Sequence, residues 1–429
     1  MTRSENDSRV RRVLARFGLG QLAAQTIAVF GWNVARLTTQ LVWVVLLARF
    51  LGAEGYGSFS GIAGLALAFS GLAGLGLGLR MYQDTARDPA MFGLRWRQAL
   101  RVLGWSGIGL SLLFLATGWL LFPNLPWLLL MAVAAAELLM APFITHAAFA
   151  YASRRQVAQA AAAPVVLSIA RVIAAGIATA LPVENGLQMY ALLHLAATAV
   201  AAGLVLRRCQ LRLMPPPAEA VVSRNDLVTG LGFSSVWASG LALGSIDKAV
   251  ALRVGGAGLA GEYTAAHRFA NLVALPVEAL VTAVMPRLFS AGGGSRFPVR
   301  MVGTLALTVA SYGMIAGVIL WYGADLVPLL LGEVFRESVA ALHLLAFWVP
   351  AYCLRSLGSN VLLGFGWKRW RFWSELAAMM AVLMLMILWI PAYGVAGAAA
   401  ALVVAEGMLV TIVWGRILVA GRRTLEAIP

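Results

Sequence analysis

Apolar stretches of about 20 residues, separated by short polar connections, recur along the whole chain. A helix needs about 20 apolar residues to cross a bilayer, so each stretch predicts one transmembrane helix. The pattern predicts twelve spans, over approximately residues 17–48, 57–79, 98–121, 126–150, 157–180, 187–206, 226–252, 259–286, 298–322, 339–364, 371–390 and 395–418. We therefore predict an all-α polytopic membrane protein with about twelve transmembrane helices.

Composition agrees with that interpretation, because 61% of the residues are hydrophobic and 12% are charged. The net charge of +15 is spread in small basic groups between apolar segments, which argues against a nucleic-acid-binding surface. The apolar run after the basic N-terminus is too long for a signal-peptide core, so we expect it to remain as the first span. Cys209 and Cys353 fall in a predicted loop and a predicted helix, which makes a disulfide between them improbable.

Basic residues alternate strongly between the two sides of this span assignment. Twenty-five Lys and Arg side chains lie on one side, and three, Arg49, Arg253 and Arg336, lie on the other. Cytoplasmic loops carry the excess of Lys and Arg, so both termini are predicted to be cytoplasmic. Short basic inner loops fit a multi-pass protein of a bacterial inner (cytoplasmic) membrane.

The longest polar connection contains three consecutive prolines and divides the chain into two halves of six spans. We expect an N-terminal arm over 1–16, an N-lobe over 17–206, a linker over 207–225, a C-lobe over 226–418 and a tail over 419–429. An internal match supports two related halves: RFLGAEGYGSF from Arg49 aligns with RVGGAGLAGEY from Arg253 at an offset of 204. Halves with even numbers of spans share one topology, as in parallel-repeat transporters.

Ionisable residues inside the predicted spans are the candidates for function, because a charge in the bilayer centre costs about 2.5 kcal/mol or more unless it faces protein or water. Polar residues share one face of the first span and one face of the eighth. The first set is Gln25, Asn33, Arg36 and Gln40, and the second is Tyr263, His267, Asn271 and Glu278. Further deep charges are Asp247, Lys248, Arg268, Glu137, Arg171, Arg355 and Glu406.

Each of these charges has a structural alternative, since an intramembrane Arg beside a carboxylate can be an ion pair that joins helices. We leave that alternative open for Arg171, Glu137, Arg355 and Glu406. The sequence has no Walker loop, no HExxH or Cys/His metal spacing and no GxSxG elbow, so we expect no catalytic residue, metal or cofactor.

Three stretches resemble the polysaccharide (O-antigen type) flippases of the multidrug, oligosaccharidyl-lipid and polysaccharide exporter superfamily. They are Leu46 to Arg80, Ser245 to Leu288, and the region from LLLGEVFRESVAALHLLAF through IPAYGVAGAAAALVVAE. The resemblance implies two six-helix lobes around a central cavity lined by helices 1, 2, 7 and 8. It also implies a substrate in which an oligosaccharide is linked through a diphosphate to a polyprenol, moved from the cytoplasmic to the outer leaflet. Unlike many relatives, the second span here is almost entirely Gly, Ala, Leu and Ser.

The cationic excess inside the spans suggests how such a substrate would bind. We expect Arg36, Lys248, Arg268, Arg355 and Arg171 to bind the diphosphate. Gln25, Asn33, Gln40, Tyr263, His267 and Asn271 would line the cavity, and Asp247 and Glu278 are candidates for a coupling proton or sodium ion. Polysaccharide polymerase or ligase machinery is a candidate partner, and the protein is expected to function as a monomer.

Three other functions stay open at this point. A multidrug or cation antiporter of the same superfamily should have an aromatic and acidic site. An integral-membrane glycosyltransferase, ligase or polymerase should have a large outer loop with polar catalytic residues, and a scaffold needs no wet cavity.

Overall fold

A computed structural model describes residues 19–182, 184–217, 219, 221–292 and 297–426. The predicted N-terminal arm and the last three residues of the tail lie outside the described residues. The helices are α1 (Leu19–Ser70), α2 (Leu77–Arg87), α3 (Phe92–Leu121), α4 (Trp127–Ala134), α5 (Ala141–Ser153), α6 (Val157–Ala180), α7 (Gly186–Leu213), α8 (Arg224–Leu243), α9 (Ile246–Gly292), α10 (Val299–Tyr322), α11 (Leu326–Leu331), α12 (Ser338–Gly364) and α13 (Lys368–Glu426). A π-helical turn, Ala135–Met140, joins α4 to α5.

The predicted all-α membrane architecture is confirmed. In the described ranges, nine helical stretches are long and apolar enough to cross a membrane. Three of them, Ala28–Arg87, Arg224–Met285 and Lys368–Gly421, have 60, 62 and 54 residues, enough for two crossings each. Counted in that way, the nine stretches give the twelve crossings expected from the apolar pattern.

Three long helices, α1, α9 and α13, bend at a glycine where the sequence predicted a turn between spans, and the bends of α1 and α9 form a pair. Gly52 in α1 has φ 64° and ψ −176°, and Gly256 in α9 has φ 82° and ψ 177°. A positive φ is accessible to glycine without strain, so the chain changes direction there. The two bends lie 204 residues apart and share one geometry, which is the internal repeat seen in the sequence.

Two predicted boundaries need correction. The seventh span, 226–252, is interrupted: α8 ends at Leu243 and α9 begins at Ile246, because Gly244 and Ser245 form a turn between them. The predicted linker, 207–225, begins later, since α7 continues to Leu213. The segment RRCQLRL contains no helix breaker, and the chain leaves the helix only where Met214, at φ 41°, precedes the proline triplet.

The two lobes meet through α1 and α2 of the N-lobe and α8 and α9 of the C-lobe. Near the Gly52 and Gly256 bends, here called the kink end, their backbones touch. A Cβ placed on Gly57 would lie 1.8 Å from the Ala257 carbonyl oxygen, and one on Gly261 would lie 2.0 Å from that of Ala53. This reciprocal contact follows the repeat and closes the kink end.

An arginine from the N-lobe adds a second contact at the kink end. Arg49 donates from Nε to the Leu330 carbonyl at 2.6 Å and from Nη2 to the Leu329 carbonyl at 3.1 Å. These carbonyls belong to the last turn of α11, where no helical N–H is available to them. Arg49 therefore joins α1 to the C-lobe.

The opposite end of the molecule, here called the basic end, is joined by an ion cluster. Asp226, at the start of α8, lies 2.7 Å from Arg80 and 2.9 Å from Arg95. Arg95 also lies 2.8 Å from Asp84. Because Arg80 and Arg95 belong to the N-lobe, this cluster holds α2 and α3 against α8. The lobes are therefore joined at the basic end through α2, α3 and α8, and at the kink end through α1, α9 and α11.

Candidate functional site

Asp247 is the centre of a buried polar cluster in the C-lobe. It lies in the first turn of α9, where a helix N-terminus favours a carboxylate, and its side chain is fully buried. Lys248 Nζ lies 3.0 Å away, Tyr263 donates its hydroxyl proton at 2.6 Å, and His267 Nδ1 lies 3.0 Å away. The bend at Gly256 brings Tyr263 and His267 back to the start of the helix.

A cation from the C-lobe contacts the N-lobe beside that cluster. The Arg268 guanidinium lies over the Trp43 ring of α1, 4.8 Å from its centroid. Arg268 is half-buried, and the described residues give it no carboxylate partner. Stacking on an indole stabilises a guanidinium while leaving the edge of its planar fork open to an anion.

Arg36 lies on the same face of α1, seven residues and two helical turns before Trp43, or about 10 Å along the axis. It is also half-buried, and in the described part of the chain it has no acidic partner. Arg36, Trp43 and Arg268 are called the anion site below. Asn33 and Gln40 are half-buried near Arg36 on α1, whereas the side chain of Gln25 lies outside the described part.

The other three predicted cations have carboxylate partners. Arg171 lies 2.6 Å from Glu137, and Lys248 pairs with Asp247. Arg355 pairs with Glu406 and stacks on Tyr352, with 4.6 Å from the guanidinium carbon to the ring centroid. The ion-pair alternative left open by the sequence thus describes the contacts of Arg171 and Arg355.

The polar residues of the second half of α9 differ in accessibility. Tyr263 and His267 are buried against Asp247, and Asn271 donates its side-chain amide to the His267 carbonyl at 2.9 Å. Glu278 accepts a hydrogen bond from the Tyr352 hydroxyl and is exposed. Of the two coupling-ion candidates, Asp247 is therefore enclosed by three polar partners, and Glu278 is open.

A hydrogen-bonded chain crosses the N-lobe from the anion site to Glu137, and we call it the N-lobe polar chain. Trp43 Nε1 donates to the Tyr190 hydroxyl at 2.6 Å, which lies 3.4 Å from His194 Nδ1. His194 Nε2 lies 2.8 Å from Glu137, which pairs with Arg171. If the Tyr190 hydroxyl donates a hydrogen bond to Nδ1, then Nε2 carries the imidazole proton and donates a hydrogen bond to Glu137.

Sequence reasoning missed two members of this chain, Trp43 and Tyr190. Tryptophans in an apolar pattern are typical of interfacial belts, and a tyrosine in a span has no signature of its own. The spacing of seven residues between Arg36 and Trp43 was the available signal. His146 and Trp237, which line a separate cavity, were also missed.

Comparison with known proteins identifies both a family and a fold. A family model described as "Polysaccharide biosynthesis protein" matches residues 22–291. No curated protein sequence matches the chain significantly.

Solved structures share the fold over almost the whole chain. An inward-facing multidrug resistance MATE family transporter of the MOP superfamily gives a TM-score of 0.71 at 15% identity, covering 94% of this chain and 100% of that one. The lipid II flippase MurJ in an inward closed conformation gives 0.71 at 14% identity, covering 94% and 91%. A MOP superfamily transporter from Pyrococcus furiosus, described as having a binding pocket of reversed polarity, gives 0.64 at 15% identity, covering 93% and 95%.

Proposed function

The chain belongs to the polysaccharide biosynthesis protein family, and from that premise we propose that it is a flippase for a polyprenyl-diphosphate-linked oligosaccharide. It would move this lipid from the cytoplasmic to the outer leaflet by alternating access of its two lobes. The observation that supports the substrate class is the anion site. Arg36 and Arg268, one from each lobe, are half-buried cations without carboxylate partners in the described residues.

A diphosphate suits this arrangement because moving its negative charge out of water is unfavourable, and two cationic side chains would offset that cost. Charge-assisted hydrogen bonds from guanidinium to phosphate are about twice as strong as neutral ones. The two arginines lie on different lobes, so one anion between them would contact both. Lys248, Arg171 and Arg355 are already paired with carboxylates and would attract the diphosphate mainly through their longer-range electrostatic field.

The closed kink end supports loading from the basic end. With the basic end in the cytoplasm, the anion site would be reached from the leaflet in which the substrate is made. Residues 57–76 of the N-lobe pack closely on α8 and the first part of α9 along their length. This leaves the other side of the interface, between the first half of α1 and the second half of α9, as the route by which a lipid tail stays in the bilayer while its headgroup enters.

Energy for outward movement would come from the membrane potential or a coupling ion. An inside-negative potential favours outward movement of an anion by about 2.3 kcal/mol per charge per 100 mV. Asp247 and Glu278 are the candidates for a coupling proton or sodium ion, and Glu278 is the accessible one. We further propose that the protein works as a monomer in a bacterial inner membrane, beside polysaccharide polymerase or ligase machinery.

A multidrug or cation antiporter is the second candidate, because MATE transporters share the fold. A site for cationic drugs would place carboxylates and aromatic faces where this chain places Arg36 and Arg268. The charge of the anion site therefore favours the flippase. An integral-membrane glycosyltransferase, ligase or polymerase is less favoured, because the sequence shows no large outer loop with polar catalytic residues.

Transport in proteoliposomes tests the proposal. A fluorescent polyprenyl-diphosphate oligosaccharide is placed in vesicles with an imposed potential, and its transfer between leaflets is measured. We expect Arg36→Ala and Arg268→Ala each to reduce the rate at least tenfold, since each removes a charged contact of about 1.5–3 kcal/mol.

The matched control is Arg336→Ala, which removes an exposed arginine at the kink end that pairs with Glu333. It should transport like the wild type. Full transport by both anion-site variants, or efflux of a cationic dye with no lipid movement, would refute the proposal.

A further inference from the structure

A cavity of about 290 Å³ lies between the two lobes, apart from the anion site. Its walls come from α1, the turns that follow it, α2, α3, the π-helical turn, α5, α6 and α8. Most of the lining is apolar. The polar exceptions include Glu137, Arg171 and His146 on the N-lobe side, and Trp237 lines it from the C-lobe.

Two nitrogen atoms in this wall have no hydrogen-bond partner among the described residues. His146 is 3% exposed, and its Nε2 is unpartnered while its ring stacks on Trp96 at 4.6 Å between centroids. Arg171 pairs with Glu137 through Nη2, but its Nε is also buried and unpartnered. A buried polar group without a partner is unfavourable, so these nitrogens favour a ligand or water with hydrogen-bonding atoms beside them.

Aromatic side chains line the same cavity. Trp237 is 45% exposed although it lies between the lobes, and its ring meets the edge of Phe149 at 6.2 Å. Phe149 also lines the cavity. The tryptophan keeps its position because the turn after α1 touches α8 beside it, where a Cβ on Gly71 would lie 2.4 Å from the Ala238 Cα.

The charges of the wall select the kind of ligand. Arg171 and Glu137 form a neutral pair, so an anion would meet the carboxylate and a cation would meet the guanidinium. An acyl chain would leave the His146 and Arg171 nitrogens unsatisfied. A neutral polyhydroxylated ring would suit these groups, since its hydroxyls would donate to Glu137, accept from Arg171 and hydrogen-bond to His146, and its C–H face would pack on Trp237.

We propose that this cavity is a glycan subsite, which binds a sugar ring of the lipid-linked oligosaccharide while the diphosphate occupies the anion site. The proposal rests on the proposed function. The two sites lie at opposite ends of the N-lobe polar chain, in which Trp43 contacts Arg268 and Glu137 contacts Arg171. Glu137 lies in the π-helical turn, a local widening of a helix that is frequent at functional sites.

Binding to the purified, detergent-solubilised protein tests the subsite. The probes are a bare polyprenyl diphosphate and the same lipid carrying glucose, galactose or N-acetylglucosamine. We expect at least one sugar to tighten binding about tenfold over the bare lipid. His146→Phe, which keeps the ring stacked on Trp96, and Trp237→Leu should each remove that increase while leaving the affinity for the bare lipid unchanged.

Arg268→Ala separates the two sites, because it should weaken binding of the bare and glycosylated lipids by the same factor. Equal binding of all four lipids by the wild type would overturn the subsite and leave the flippase proposal standing. The subsite is also overturned, and the flippase proposal also stands, if His146→Phe weakens binding of the bare lipid as much as binding of the glycosylated lipids.

Free disaccharides provide a readout that does not depend on the diphosphate. At millimolar concentration they should raise the unfolding temperature of the wild type but not of His146→Phe. If no diphosphate lipid binds but this shift is present, the proposed function fails and the subsite survives as a saccharide site. If neither lipid nor saccharide binds, both are refuted.

Discussion

The glycine contact at the kink end predicts how the conformational equilibrium can be changed by one methyl group. A Cβ on Gly57 would lie 1.8 Å from the Ala257 carbonyl oxygen, and real Cβ contacts essentially never fall below 3.0 Å. Alanine at this position therefore requires α1 and α9 to separate by about 1.2 Å. Gly261→Ala requires about 1.0 Å by the same comparison, since its Cβ would lie 2.0 Å from the Ala53 oxygen.

The free-energy cost follows from the nature of the obstacle. Both obstructing atoms belong to the backbone of a packed helix, so no side chain can rotate away. Overpacking of this kind costs about 1–3 kcal/mol. Because the cost applies only while the kink end is closed, each substitution should shift the equilibrium constant toward the open kink end by about 5-fold to 150-fold.

Spin labels across the kink end measure this shift. Cysteines introduced at Glu184 of the N-lobe and Arg336 of the C-lobe are exposed, whereas Cys209 and Cys353 are both buried and can stay. Gly57→Ala and Gly261→Ala should each add a population with a longer distance between the labels.

Gly176→Ala is the matched control, because a Cβ there has nothing within 4 Å. It introduces the same methyl group into a helix and should leave the distance distribution of the wild type unchanged. If Gly57→Ala and Gly261→Ala gave the same distribution as Gly176→Ala, the reciprocal glycine contact would not be what closes the kink end.

Four further variants have defined outcomes. Asp226→Asn should lower stability by about 1.5–3 kcal/mol, because it leaves two half-buried arginines, Arg80 and Arg95, to share Asp84. Glu333→Gln breaks an exposed ion pair and should lower stability by less than about 1 kcal/mol. Equal unfolding temperatures of the Asp226→Asn and Glu333→Gln variants in detergent would refute this difference. Tyr190→Phe should cost about 1–3 kcal/mol by breaking the N-lobe polar chain, measured in the same way. Arg49→Gln should increase the population with an open kink end by less than Gly57→Ala does. The distances between the spin labels at positions 184 and 336 measure both populations.

The sequence predicted the features that repeat along the chain. Twelve apolar stretches are visible because each must cover about 30 Å of hydrocarbon on its own, whatever its neighbours do. The pairing of Gly52 with Gly256 was also visible, since a positive φ restricts the residue type at a single position. Such constraints act locally and leave a pattern in the order of residues.

Contacts between distant residues could not be predicted in this way. Nothing in the sequence distinguishes Arg171, which has Glu137 beside it, from Arg268, which has Trp43; the partner depends on how four helices pack. His146 is a single polar residue in an apolar helix, with no periodic signal. The extension of α7 to Leu213 was missed for a different reason, because charged residues were taken to end a span although they do not end a helix.

The division of the cations into paired and unpaired groups suggests why the substrate would itself drive the conformational change. Arg36 and Arg268 lie on α1 and α9, which are joined at the kink end. Closing the basic end would therefore bring the two helices, and with them the two guanidinium groups, closer together. Two unit charges 4 Å apart repel by about 4 kcal/mol at an effective dielectric constant of 20. An empty anion site would therefore oppose closure, whereas a diphosphate between the arginines would turn repulsion into attraction. Arg171, Lys248 and Arg355 carry their own counter-charges and add no such barrier. Among the five predicted cations, closure would therefore depend on the substrate through Arg36 and Arg268, which have no carboxylate partner in the described part of the chain.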